Sequence, residues 1–231
     1  MKDLLEKILS YLPVYIPDLV RIVSGPKRFV AERNKGSEGD LIKAFTFLGI
    51  SMSIFFILQA PLAATGRDFF TDTASHGIQY LFFIVAFSAV LRLSWNIVGG
   101  KANYQRYLLT SCYYAGATSI GLAIAGLCFI GVLRVFYRES YALFVKAVTT
   151  VDPLGVSRAE PKVLRGIVVA FIVFLIVSVP TLVWGIIGWG AYREFDQLSR
   201  PRSGLALFLT ILFSLPLVVA EFVIAFGLTA L

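Results

Sequence analysis

Five long stretches dominated by apolar residues decide what this chain can fold into. They run from Ile42 to Ala64, His76 to Val98, Leu108 to Leu133, Leu164 to Gly190 and Gly204 to Thr229. A helix rising 1.5 Å per residue crosses a hydrocarbon core of about 30 Å in roughly 20 residues, and each stretch meets that length. No water reaches the core to satisfy a backbone N–H or C=O, so each segment must pair its own groups, as a helix does. The expected fold is all-α, a polytopic transmembrane bundle of five helices. Composition points the same way. Of 231 residues, 58% are hydrophobic and only 15% charged, whereas soluble domains carry about 25% charge. There is too little polar surface to cover a water-soluble globule.

The formal net charge of +7 gathers in short blocks between the apolar runs. That is how loops look when they hold a topology and touch anionic headgroups, and it argues against nucleic acid as a partner. Eight Lys and Arg precede or open the first span, Lys43 being the last of them. Arg92, Lys101 and Arg106 lie around the second loop, and Arg193, Arg200 and Arg202 in the fourth. With the N-terminus inside, fourteen cations face the cytoplasm and seven the other side, so the expected orientation is N-terminus cytoplasmic and C-terminus outside. Trp95, Trp184 and Trp189, with Tyr104, Tyr107, Tyr113 and Tyr114, fall toward the same proposed inner ends, where amphipathic rings prefer to sit. The third loop carries Val135, Tyr141, Phe144, Val145 and Val148 at helical spacing. This predicts an amphipathic helix along the outer surface, ended by Asp152-Pro153-Leu154-Gly155.

Residues 1–41 form a separate amphipathic cytoplasmic segment ahead of the 42–231 transmembrane domain. Leu4, Leu5, Ile8, Leu9 and Leu12 recur at helical spacing, and a second run, Asp18 to Val23, stops at Ser24-Gly25-Pro26. Pro26 can open another short helix through Phe29 and Val30. Apolar faces interleaved with Arg and Lys suit either a segment on the inner leaflet or a cap packed under the bundle. Charges inside the first apolar stretch and the lack of a small-residue cleavage site exclude a secretory signal.

Among the few polar groups within the spans, Gln59, Arg92, Asn96 and Glu221 stand out. Arg92 and Asn96 lie near the inner boundary and can snorkel to the headgroups. Gln59 and Glu221 each lie roughly 26 Å along their helices, at a similar depth toward the outer side. A hydrogen bond between them is the expected role, with Arg134 and Arg165 as other partners for the carboxylate. A proton- or cation-carrying Glu221 is the alternative. His76 is the single histidine, and Cys112 and Cys128 lie in one apolar run, so no metal set, disulfide framework or cofactor motif is present and no enzyme is expected. Ala117, Gly121 and Ala125 form a small-residue stripe for close contact within the bundle. Pro61, Pro180 and Pro216 predict kinks.

Two segments resemble the Yip family of five-span membrane proteins, named for interaction with Rab-type GTPases. One is the helix, proline and basic-aromatic turn of Leu19-Val20-Arg21-Ile22-Val23-Ser24-Gly25-Pro26-Lys27-Arg28-Phe29. The other is Val98-Gly99-Gly100-Lys101-Ala102-Asn103-Tyr104, followed by Cys112-Tyr113-Tyr114. The resemblance implies a five-helix bundle with a cytoplasmic N-terminus and no catalytic activity, similar to members that act in membrane traffic and shaping. A short N-terminal segment makes the chain resemble a bacterial inner-membrane member rather than a Rab-binding one. The expected function is organisation of the membrane or of a protein partner through a basic inner surface. Arg21, Lys27, Arg28, Lys101 and Arg106 are its lipid or partner contacts. A small transporter or channel component using Glu221 and Gln59 is the alternative.

Overall fold

In a computed structural model the backbone is described over residues 2–33, 38–59, 69–150 and 160–227. Side chains are described over 12–33, 39–59, 75–146 and 160–220. Eight helices are found among these residues: α1 Lys2–Ser24, α2 Pro26–Arg33, α3 Glu38–Gln59, α4 Phe69–Ile97, α5 Tyr104–Phe136, α6 Arg138–Thr150, α7 Pro161–Asp196 and α8 Arg200–Gly227. Helices α3, α4, α5, α7 and α8 are long and apolar enough to cross a membrane. The chain is therefore a multi-pass integral membrane protein with an all-α fold. Its outer surface fits that solvent. Val168, Phe171, Ile172, Leu175, Ile176, Val179, Leu182, Val183, Ile186 and Ile187 of α7 are all exposed. The nineteen steps from the first to the last cover about 29 Å at 1.5 Å each, the thickness of a hydrocarbon core.

Helix α5 is the centre. It packs along α3 on one side and α7 on the other, while α4 leans on α5 and carries α8. The spacing of small residues on α5 makes this possible. A Cβ on Gly116 would lie 2.8 Å from the Phe47 ring, and one on Gly126 would lie 2.5 Å from the Gln59 amide nitrogen, both on α3. A Cβ on Gly121 would strike Thr181 on α7. Glycines five residues apart thus serve neighbours on different sides, while Ala117, Ala123 and Ala125 are buried between them. Van der Waals approach of this kind, rather than a hydrophobic drive, holds helices together in lipid.

Tyr137 ends α5, its N–H bonding to the Leu133 carbonyl. Amphipathic α6 then packs on α5 and α7 through Phe129–Phe144 and a 2.7 Å bond from the Ser140 hydroxyl to the Val163 carbonyl. The predicted breaker at 152–155 and Pro61 lie outside the described residues. Helices α7 and α8 continue through Pro180 and Pro216.

Bulk added at α5 should separate the helices only where contact is tight. Gly121→Val is expected to cost about 1–3 kcal/mol through overpacking. Gly131→Val, with nothing within 4 Å of its Cβ, should stay within about 0.5 kcal/mol. Thermal denaturation of the detergent-solubilised protein distinguishes them, and equal midpoints would contradict the packing.

Candidate functional site

Chemistry-bearing residues concentrate where α4 and α7 end and α3, α5 and α8 begin. An acid at a helix C-terminus meets the negative end of the helix dipole, so Asp196 needs donors to be tolerated there. It has three. One carboxylate oxygen accepts the backbone N–H groups of Lys101 and Ala102, each at 2.8 Å, and the other accepts the Tyr107 hydroxyl. The side chain is buried. Gln197, in the left-handed conformation at φ 55°, stops α7 at this point.

The loop that reaches Asp196 is built for close approach. Gly99 has φ +99°, a region that side chains disfavour. A Cβ on Gly100 would lie 2.9 Å from the Trp95 carbonyl oxygen and 3.1 Å from the Asp196 carboxyl carbon. Asn103 then caps α5 by accepting the Arg106 N–H at 3.1 Å. Around the carboxylate, Tyr107 stacks on Tyr192 with centroids 5.9 Å apart, and Trp95 contacts both Tyr192 and Trp189. These rings wall the polar knot off from lipid.

The N-terminal helices cover the other side of α5. Phe29 of α2 meets Tyr113 edge-on at 4.9 Å. Tyr15 of α1 shares a 3.0 Å hydrogen bond with Ser51 and lies 5.1 Å from Phe47. The Trp184 indole donates to the Ile22 carbonyl at 3.1 Å. Asp18, buried in α1, accepts from the Arg33 guanidinium at 2.6 Å. Of the two placements expected for this segment, the described side chains match packing against the bundle, while one face of α1 stays open.

The predicted cations sit around this framework in different settings. Lys27 lays its chain across Gly190 and pairs with Glu194 at 3.5 Å. Arg106 lies over the Phe195 ring at 5.3 Å and, with Lys27 and Glu194, lines a small cavity of about 190 Å³. The Lys101 side chain is exposed. Arg21 and Arg28 border an open groove of about 460 Å³ with Ser24, Gly25, Phe29 and Glu32, and Arg28 also pairs with Glu32 at 2.9 Å. Arg92 and Asn96 face outward near the end of α4.

At the opposite end, Gln59 rests against Gly126 of α5, and α8 packs along α4 rather than α3. The Glu221 side chain lies outside the described residues, so its expected partnership with Gln59 is not on view; Arg134 and Arg165 are exposed. His76 borders a cavity of about 460 Å³ with Gln79, Tyr80 and Ser119 among Met52, Phe55, Phe56 and Leu122. Among the described residues no three His, Cys, Asp or Glu side chains gather as a metal site. No family model, curated protein or solved structure matches the chain.

Asp196 escaped the sequence reading. The available signal was an acid closing a long apolar helix, where the dipole disfavours it. Asp196→Ala should destabilise the protein by about 1–3 kcal/mol for each buried donor it orphans, whereas Asp196→Asn keeps an acceptor for the loop and should cost less. Unfolding midpoints in detergent give the ranking, and an Ala variant as stable as wild type would refute the role assigned to the carboxylate.

Proposed function

We propose that the chain is a Yip-like, non-catalytic membrane protein that presents its basic end at the cytoplasmic surface to anionic lipid and a protein partner. What carries the reading is the convergence of both Yip-like segments. The Gly99-Gly100-Lys101 loop is tied to Asp196, the 19–29 segment forms the α1–α2 elbow, and Phe29 touches Tyr113 in the Cys112-Tyr113-Tyr114 run. Arg21, Lys27, Arg28, Lys101 and Arg106 surround that joint. A surface role follows from how these cations are held, since Lys101, Arg21 and Arg28 are exposed, Arg28 beside Glu32, while Lys27 and Arg106 are partly spent on Glu194 and Phe195. On this reading the protein sits in a bacterial inner membrane, with the basic end inside.

Two measurements test it. Single cysteines at Ser199 and Glu160, at opposite ends of α7, should react with an impermeant maleimide from opposite sides: Glu160→Cys on intact cells, Ser199→Cys only after permeabilisation. The reverse pattern would overturn the orientation.

Enrichment of anionic lipid around the purified protein tests the surface. Arg21→Gln should weaken it by about 1 kcal/mol, and Lys27→Gln and Arg28→Gln by less, because Glu194 and Glu32 already share those charges. Unchanged enrichment in the Arg21, Arg28 double variant would show that these residues serve only packing.

A further inference from the structure

The inserted depth of α1 follows from what it touches. The exposed apolar belt of α7 ends at Ile187 on the basic side. Trp184, which bonds to the Ile22 carbonyl at 3.1 Å, lies three residues inside that edge, about 4.5 Å at the helical rise. Its side chain leans toward the start of α7, which is deeper still. On α3 the exposed belt opens at Ile42. Phe47 and Ser51, the partners of Tyr15, lie five and nine residues further in, about 7.5 and 13.5 Å. Tyr15 and Ile22 of α1 therefore both meet the bundle at hydrocarbon depth, short of the opposite leaflet.

The faces of α1 fit that depth. Tyr15, Asp18 and Ile22 are buried against the bundle. Leu12, Ile16, Val20 and Val23, at i, i+4, i+8 and i+11, form an adjoining stripe that is 44%, 58%, 61% and 54% exposed. Arg21 lies about 140° round the helix from Ile16 and borders the polar groove at the elbow, from which its long chain can reach the headgroups. The charge of Asp18, the acid on the buried face, is met by Arg33.

We infer that α1 is an arm seated within a single leaflet, with Leu12, Ile16, Val20 and Val23 in contact with its acyl chains. The stripe is a continuation of the lipid-facing belt of the spans rather than a separate docking groove, which selects hydrocarbon as the occupant. The arm adds helix cross-section to the leaflet at the basic end and none to the other. This goes beyond the function proposed above and holds whichever side of the membrane the basic end faces.

Nitroxide accessibility in bilayers tests it on the full chain. In a Cys112→Ala, Cys128→Ala background, labels are placed in turn at Ile16→Cys and Val20→Cys, with Ile186→Cys as the lipid reference and Arg28→Cys as the water reference. All four positions are exposed, and two neighbouring arm sites guard against a local folding defect in either one. The arm labels should collide with oxygen as often as the Ile186 label and lose collisions with a water-soluble nickel complex to the same baseline. Nickel collisions at the Arg28 level would overturn the inference in favour of a surface-lying helix. Loss of both kinds of collision would also overturn it, showing the stripe covered by protein, whether a second copy or another segment.

Discussion

A carboxylate at the negative end of a helix dipole is an unfavourable element on its own, and the basic end of this protein is built around making one acceptable. Asp196 draws two loop N–H groups and one tyrosine hydroxyl onto its oxygens. In doing so it fixes the α4–α5 connection to the end of α7. That fixes where α5 starts, and α5 is the helix on which α3, α4 and α7 pack. The glycines follow from the same demand: Gly100 has no room for a side chain between Trp95 and the carboxylate. The rings of Tyr107, Tyr192, Trp95 and Trp189 enclose the knot, and an enclosed set of charge-assisted hydrogen bonds is stronger than the same set in water.

The second organising pair is Asp18 and Arg33. Burying one partner without the other would leave an uncompensated charge, a loss on the order of 3–5 kcal/mol. The pair joins α1 to the end of α2, so the two helices fold back as a unit and lay Tyr15, Ile22, Phe29 and Val30 into the cluster formed with Phe47, Leu109 and Tyr113. The central helix is thus covered on two sides at the basic end, by α1 and α2 and by the aromatic cluster shared with α4 and α7. Cations mounted on this double support are held in place by backbone, not by pairing alone.

The spans were legible because length and hydropathy are one-dimensional properties that the bilayer reads directly. The same holds for α6, whose apolar spacing announced an amphipathic helix after the third span. The neighbour across helices was not legible: α3 turns Gln59 onto Gly126 of α5, a contact that spacing along α3 does not record. The Ala117, Gly121, Ala125 stripe identified a contact surface without saying that Gly116 and Gly126 serve a second one. Asp196 was hidden among loop charges because its role needs the Gly-Gly loop ninety-odd residues earlier in the chain. Nor does spacing reveal that Tyr15 meets Ser51, since nothing in α1 records which span lies beside it.

The most direct measurement of the whole account is amide hydrogen exchange on the intact protein in lipid nanodiscs, read at Lys101 and Ala102. Both lie in an irregular segment between two helices, where unpaired amides exchange quickly. If Asp196 organises the basic end, these two amides should exchange as slowly as those in the first bonded turns of α5. Exchange at the rate of a free loop, with the neighbouring helices still protected, would mean that the carboxylate does not hold the connection and that the basic end is not a single built surface.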